Sequence, residues 1–343
     1  MTDSPFREVT CAAVTSETWN VKTFHLSLDG ADRTLEFRAG QYVTLEFEID
    51  GQTIYRCYTV SSAPHNTQPG DFCITVKHSP DGVVSTWLHR NFAQGDKLRV
   101  SRATGDFVLP EGHRQPLLFI AGGVGITPFI SMVRALRTSR DSVDVQFIQF
   151  ARLPEDIMFQ GELKDLGEAV NGLRTHFFAS TRADSDCHRG RLSEQTLDET
   201  VPDWTSRSVY CCGPDGFMAS MRNLFERRGG ASERFHQESF ELPAEVKKMP
   251  SPTGGAFSVR LALSNLDLSC SPGRTIIEAV HASPQGIKIP NACRSGVCGT
   301  CKLRKLSGEV EMLHNGGITD EEVDEGYVLA CCSTPLTDLL LEC

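Results

Sequence analysis

Cys293, Cys298 and Cys301 stand in a C-x4-C-x2-C run, Cys293-Arg294-Ser295-Gly296-Val297-Cys298-Gly299-Thr300-Cys301, and two adjacent cysteines, Cys331 and Cys332, lie far downstream. Three thiolates from one loop and a fourth from another element are what a pair of sulfide-bridged irons needs. Gly296 and Gly299 let such a loop turn tightly and aim backbone N–H groups at the sulfurs. Zinc is the main competing ligand, but zinc sites favour two sets of C-x2-C pairs. Disulfides compete less, because nothing in the sequence suggests secretion. A [2Fe–2S] cluster is therefore expected, its fourth thiolate coming from Leu329-Ala330-Cys331 or from the neighbouring Cys332.

Four other stretches carry chemistry-bearing residues. In Arg56-Cys57-Tyr58-Thr59-Val60-Ser61-Ser62, a strand would put Arg56 and Tyr58 on one face, where a cation and a flat ring could hold a phosphate and a planar cofactor. An ordinary strand with one exposed arginine accounts for the same residues. Asp81-Gly82-Val83-Val84-Ser85-Thr86-Trp87-Leu88 reads as a helix start able to bind phosphate, or as a plain serine cap. Ala121-Gly122-Gly123-Val124-Gly125-Ile126-Thr127-Pro128 follows the apolar run Leu117-Leu118-Phe119-Ile120. That is a glycine-rich loop at the carboxyl end of a buried strand, where nucleotides bind. Cys211-Cys212-Gly213-Pro214 follows another strand and lines the same edge, unless its Gly-Pro is only a structural turn.

The elements that would position these motifs fall into three groups. The chain has 343 residues, 40% of them hydrophobic, enough for two or three cores. Short strands at Val9–Val14, Lys22–Ser27, Tyr42–Glu48, Phe72–Lys77 and Lys97–Val100, punctuated by glycines, suggest an antiparallel β-barrel over residues 1–112. Strand–helix alternation over 113–242 reads as a doubly wound α/β nucleotide domain: strands at Leu117–Ile120, Val143–Phe150, Thr175–Ser180 and Ser208–Tyr210, helices at Phe129–Arg137 and near Pro214–Arg227. A Pro- and Gly-containing linker is expected at 243–256. Residues 257–343 show strands at Ser258–Leu263, Leu266–Ser269, Cys301–Lys305 and Asp338–Glu342 and a helix at Thr275–His281, an α+β unit. Pro116 to Val133 carries no charge, but Gly122, Gly123, Gly125 and Pro128 break it, which fits strand, turn and helix better than a membrane span.

Charge and cysteine usage narrow the classes. The net charge of −10 argues against nucleic acid as a partner, since no basic stripe offsets it. Met1 to Thr10 has no apolar signal core, so a cytoplasmic protein is expected. Thirteen cysteines then read as metal ligands plus reduced thiols, with Cys11 and Cys73 as small core residues. There is no G-x-S-x-G and no H-E-x-x-H to support hydrolytic chemistry.

Taken in order, Arg56-x-Tyr58-Thr59, Gly82-x-x-Ser85, Gly122-Gly123-x-Gly125-x-Thr127-Pro128, Cys212-Gly213-Pro214 and the terminal cysteine pattern resemble the ferredoxin–NADP reductase superfamily. More narrowly, the whole chain resembles flavin reductases with a C-terminal plant-type ferredoxin domain of β-grasp fold, such as the reductase components of Rieske-type oxygenases and the NADH oxidoreductase of the hybrid-cluster protein. The resemblance implies roles residue by residue. Arg56 would contact flavin phosphate, Tyr58 would pack on the isoalloxazine and Thr59 would hydrogen-bond near flavin N5. Val76 and Lys77 would line the flavin, and Gly82, Ser85 and Thr86 would hold its phosphates. Gly123, Gly125 and Thr127 would lie against the nicotinamide nucleotide, with Cys212, backed by Gly213, near the carbon that gives up hydride. Glu238 and Phe240 would close the flavin site. Thr59, Cys212 and Glu238 are thus the residues expected nearest the reacting atoms. The metal ligands would be Cys293, Cys298, Cys301 and, because the family's last ligand follows Leu-Ala, Cys331. Asp81 stands where many relatives have a second glycine, and Cys332 replaces the residue that often follows the last ligand.

The implied cofactors are FAD rather than FMN, NADH rather than NADPH, and one [2Fe–2S] cluster. A nicotinamide gives two electrons as hydride and the cluster takes one at a time, so the expected order is NADH, flavin, cluster, external acceptor. That acceptor would be a Rieske-type oxygenase component, acting on a small quaternary amine or an aromatic acid, or alternatively a hybrid-cluster protein. A redox-sensing interaction protein without turnover is the third reading. Arg152 and Arg182 could reach a ribose phosphate or form surface salt bridges. The acidic run Asp320-Glu321-Glu322-Val323-Asp324-Glu325 is a solvated helix face or a steering patch for a basic partner.

Overall fold

The computed structural model describes residues 6–30, 33–64, 70–109, 115–138, 144–240, 255–285, 287, 289–291, 296, 299–314 and 317–343. The chain divides into two compact units, Met1–Thr53 with Tyr58–Glu241, and Ile54–Cys57 with Leu242–Cys343. The expected linker lies outside the described residues except for positions 255 and 256. No helix among the described residues is long and apolar enough to cross a membrane.

The amino-terminal part of the chain opens with strands β1 (Arg7–Thr18), β2 (Val21–Leu28), β3 (Tyr42–Ile49), β4 (Gln52–Thr59), β5 (Asp71–Lys77) and β6 (Lys97–Val100), with helix α1 (Val83–Asn91) between the last two; of β4, residues 54–57 group with the second unit. Their order in the sheet is β4-β3-β6-β1-β2-β5, and a bridge from Val60 to Ile74 brings the chain leaving β4 onto β5, so the sheet closes as a barrel. The alternation of buried and open positions along β2 is what one core-facing and one outward-facing side require. β1 runs four residues past the expected end at Val14, and its pairing with β2 shifts register between Cys11 and Ala13 and again between Ser16 and Thr18. Such bulges bend a long strand around a barrel, which a pattern of strict alternation does not announce.

The α/β half follows. Strands β7 (Leu117–Gly122), β8 (Val145–Ala151), β9 (Leu173–Ala179), β10 (His188–Arg189), β11 (Ser208–Cys212) and β12 (Phe235–Glu238) form a parallel sheet in the order β10-β9-β8-β7-β11-β12. Helices α2 (Thr127–Leu136), α3 (Gln160–Ala169), α4 (Glu194–Thr200) and α5 (Asp215–Arg227) connect them. All six residues of β7 are buried, as a strand covered on both faces must be. Phe119 stacks on Phe129 at 5.1 Å and meets Phe147 and Tyr210 edge-on, all with essentially no exposure. Truncating one such ring to alanine costs about 3–5 kcal/mol. Barrel and α/β half are tied together: Ser131 Oγ donates to the Ser62 carbonyl at 2.7 Å, and Arg134 Nη1 donates to the Ser61 carbonyl at 2.7 Å.

In the second unit, β13 (Phe257–Leu261), β14 (Leu266–Cys270), helix α6 (Ile276–His281), β15 (Lys302–Ser307), β16 (Val310–Met312), helix α7 (Asp320–Asp324), β17 (Tyr327–Leu329), β18 (Ser333–Pro335) and β19 (Leu339–Glu342) follow in order. The five-stranded sheet β14-β13-β19-β15-β17 pairs the terminal strand parallel to β13, the β-grasp arrangement. α6 begins at a reciprocal cap: the Thr275 hydroxyl accepts from Glu278 N–H, and the Glu278 carboxylate accepts from Thr275 N–H. Ile276, Ile277, Ala279 and Val280 then bury against the sheet.

Candidate functional site

Three places carry the expected chemistry. The first is the carboxyl edge of the parallel sheet. β7 ends at Gly122, a 3₁₀ turn covers Gly123–Ile126, and α2 starts at Thr127 with Pro128 in its first turn, where a missing N–H costs nothing. Gly123 holds φ +55°, a conformation glycine adopts without strain. Thr127 is buried and its hydroxyl donates to the Val124 carbonyl at 3.3 Å, so it closes the turn. In front of this turn lies a cleft of ≈ 770 Å³, within the range of small-molecule sites, bordered by Gly122, Gly123, Arg152, Ser180, Thr181, Arg191, Phe217 and, from the barrel, Lys77.

Cys211 and Cys212 lie within β11 rather than after it, because parallel pairing with β7 and β12 continues through Cys212. Cys212 pairs in register with Ala121 on one side and Glu238 on the other. Burial, and then the charge of Glu238, push the Cys212 thiol well above its ordinary pKa. The fully buried Cys212 thiol is therefore held in its protonated form at the sheet edge. Phe240 is 43% exposed just beyond β12.

The second place is the barrel face around β4, β5 and α1. Arg56 is exposed on β4, with its Nη1 donating to the Tyr55 carbonyl at 2.7 Å, and Tyr58 is half-buried. Thr59 is buried and its hydroxyl has no hydrogen-bond partner among the described residues. Val76 is buried in β5 and Lys77 is exposed beside it. Gly82 is the cap residue of α1. Ser85 does not cap in the expected way. It lies inside the first turn, where its hydroxyl accepts from Ser79 N–H at 3.1 Å and donates to the Gly82 carbonyl at 3.2 Å. Thr86 Oγ1 reaches His78 Nε2 at 3.2 Å and the Ser79 carbonyl at 3.3 Å. These bonds shape the 79–82 loop ahead of the helix.

The third place is in the second unit. Cys301 and Cys331 are buried, and Cys331 N–H donates to Cys301 Sγ at 3.4 Å. Gly296 and Gly299 both hold positive φ, +72° and +67°, as a loop folding around a cluster requires. Cys293 and Cys298 lie outside the described residues. Of the acidic run, Glu322 caps α7 through Thr319 N–H and pairs with Lys302, while Glu321, Asp324 and Glu325 are exposed.

Arg152 borders the nucleotide cleft as expected, whereas Arg182 pairs with Glu155 at 2.7 Å on the surface. Ser180, Thr181 and Arg191 were not anticipated at the cleft. The signal for the first two was their position just after β9, at the same carboxyl edge as Gly122; Arg191 follows a two-residue strand too short to read from periodicity.

Comparison with known proteins fits this geometry. Residues 8–109 match the family described as oxidoreductase FAD-binding domain, 119–223 the oxidoreductase NAD-binding domain, and 260–336 the 2Fe-2S iron-sulfur cluster binding domain. The chain is 38% identical to the glycine betaine monooxygenase reductase subunit of Pseudomonas aeruginosa, over 97% of this chain and 94% of that one. It is 34% identical to the NADH oxidoreductase HCR of Escherichia coli, over 89% and 88% respectively. In fold it matches phthalate dioxygenase reductase with a TM-score of 0.61 at 24% identity, over 98% of each chain. The chain belongs to the ferredoxin–NADP reductase superfamily, among the flavin reductases that carry a C-terminal [2Fe–2S] domain. It is an oxidoreductase with FAD-, NAD- and [2Fe–2S]-binding domains.

The residues present suit these groups. The unpartnered Thr59 hydroxyl is an atom that a flavin would satisfy. The Gly122–Gly123 cleft has the size for a dinucleotide. Buried Cys301 and Cys331, beside Gly296 and Gly299 at positive φ, suit two of the four thiolate corners of a cluster.

Proposed function

We propose that this protein takes hydride from NADH and passes single electrons to a Rieske-type oxygenase component that acts on a small quaternary amine. The observation that carries this reading is the near full-length similarity to the reductase subunit of a glycine betaine monooxygenase, glycine betaine being such an amine. When bound, flavin and cluster supply the conversion of a two-electron hydride into single electrons.

The chain's own residues orient and shield. Gly123 and Gly125 let the dinucleotide approach the backbone at the sheet edge, and Cys212 with Gly213 forms the floor there. Arg152 and Arg191 give the cleft positive charge for the nucleotide's phosphates. Thr59 offers its hydroxyl to the flavin ring, with Arg56, Tyr58, Val76 and Lys77 along it. The loop shaped by Ser85 and Thr86 presents Gly82 and the start of α1 to the flavin phosphates. Glu238 and Phe240 cover the site from beyond β12. Cys293, Cys298, Cys301 and Cys331 hold the irons.

The likeness to the NADH oxidoreductase HCR supports a second acceptor, a hybrid-cluster protein. One anaerobic experiment separates the two. The protein is bleached with NADH, each acceptor is added in turn, and the return of oxidised absorbance is timed. Fast reoxidation by the Rieske component alone supports the proposal; fast reoxidation by the hybrid-cluster protein alone replaces it. A protein loaded with flavin and iron that neither NADH nor NADPH bleaches is not a reductase. In the Cys298→Ala variant, NADH-driven dye reduction at the flavin should persist while transfer to the acceptor stops.

A further inference from the structure

We infer that Trp19 is a positioning residue for the nicotinamide nucleotide: its indole N–H clasps Asp156 and so holds the barrel wall of the nucleotide cleft to the α/β wall. The inference rests on this cleft being the nucleotide site and is independent of the acceptor.

The clasp joins residues far apart in the chain. Trp19 and Asn20 form the turn between β1 and β2. Trp19 Nε1–H donates to Asp156 Oδ1 at 2.9 Å, across 137 positions of sequence. Asp156 ends the short 3₁₀ turn Pro154–Asp156, and its other oxygen, Oδ2, accepts from Leu153 N–H at 3.2 Å. One carboxylate thus fixes its own turn and receives the indole. Each end of the clasp is anchored in a wall of the cleft. Asn20 and Val21 line it from the barrel, and Arg152, Asp156 and Met158 line it from the α/β half. The hairpin turn is itself held in place. The Thr18 hydroxyl donates to Asn20 Oδ1 at 3.1 Å, the Asn20 carbonyl accepts from His78 N–H at 2.8 Å, and Val21 pairs in register with Lys77. Closing the clasp therefore sets the backbone of Lys77 against that of Arg152. It puts one cation on each wall, as a ligand with a charged diphosphate needs.

Packing does not account for a tryptophan at this position. Trp19 is 77% exposed, so it removes little apolar surface from water and gains the fold little by burial. A phenyl ring would bury as much, but it carries no donor. What the indole adds is a rigid reach with one N–H at its edge. A cleft held at its working width before the nucleotide arrives has less freedom to lose on binding. That gain appears as affinity for the nucleotide, while the hydride step in the filled cleft is left as it was.

The test uses the flavin-loaded full chain. It is mixed anaerobically with NADH in a stopped-flow instrument, and the rate of flavin bleaching against NADH concentration gives an apparent Kd and a limiting rate. FAD content and the thermal midpoint check folding. Trp19→Phe removes the donor and keeps a ring, whereas Trp19→Ala removes both. Each should raise the apparent Kd by about fivefold, the factor one hydrogen bond gives, and hold the limiting rate within about twofold. In an Asp156→Ala background, Trp19→Phe should add nothing further, as two residues acting through one contact require. A wild-type Kd in Trp19→Phe overturns the inference. So does a limiting rate that falls by more than the Kd rises, and so does full additivity in the double variant. Weak binding in Trp19→Ala but not in Trp19→Phe overturns it too, because the ring face and not the N–H would then hold the nucleotide. Should Asp156→Ala fail to fold, the two Trp19 variants still decide. A wrong assignment of the cleft reads differently, since NADH then fails to bleach the wild-type protein as well.

Discussion

Gly125 lies against the backbone of Cys212: a methyl group at Gly125 would sit 2.3 Å from the Cys212 carbonyl oxygen and 2.6 Å from Gly213 N. Both contacts are backbone, so no side chain can swing away to relieve them. The glycine turn after β7 and the end of β11 are therefore fitted to each other before any nucleotide arrives. Gly125→Ala must push the turn outward, at about 1–3 kcal/mol for an overpacked site. The expected result is a KM for NADH raised by about tenfold, the factor that 1.4 kcal/mol of lost binding gives, with FAD content unchanged. An unaltered KM would show that the turn does not touch the nucleotide.

Thr59 offers a second, opposite case, where removing a group should cost the fold nothing. Its buried hydroxyl has no partner among the described residues. Thr59→Val replaces it with a methyl of similar shape, so the thermal midpoint of flavin-free protein should hold or rise slightly. Reduction of bound flavin by NADH in a stopped-flow instrument should slow by about tenfold, the value of one hydrogen bond of roughly 1–1.5 kcal/mol made to the flavin. A wild-type rate removes Thr59 from the site.

The sequence announced these two positions unequally, and the difference has a physical cause. Gly125 sits in a run whose meaning is local: a buried strand, a glycine turn and a helix begun by Pro128. The parallel sheet, the barrel strands and α6 could be read for the same reason, since periodicity and caps depend on near neighbours. Thr59 could be placed on a strand, but the burial of its hydroxyl depends on the tertiary fold around it, where the next residue, Val60, bridges to distant Ile74. Ser85 shows the same limit, because its bonds to Ser79 and Gly82 depend on a loop shape that composition does not encode. α3 and α4 escaped the reading because their buried sides are narrow, two residues in α3 and one in α4.

Asp198 supplies the pH prediction. It accepts from the Nε1–H of fully buried Trp204 at 2.8 Å and from Arg228 at 2.9 Å. The Trp204 hydrogen bond first, and then Arg228, hold the Asp198 pKa below the ordinary 3.8. A depressed carboxylate contributes stability that is fully present above the unfolded value and lost as pH falls through the folded one. The urea midpoint of wild type should therefore exceed that of Asp198→Asn above pH 3.8, and the gap should close below it. A gap that stays constant across that window would mean the charge contributes nothing.

Gly296 tests the cluster loop, and here two obstructions compete. An added Cβ would lie 2.7 Å from Cys332 Sγ and 2.8 Å from His314 Cα, and φ is +72°. A sulfur on a rotatable bond can move aside; a neighbouring Cα cannot, and the positive φ opposes any residue that carries a Cβ independently, by about 1–2 kcal/mol. The backbone terms should win. Gly296→Ala is expected to lose cluster absorbance and iron while keeping FAD, and Gly296→Ala/Cys332→Ala should not recover them. Recovery in the double variant would mean that the sulfur contact alone set the limit, and that the loop tolerates a side chain on its His314 side.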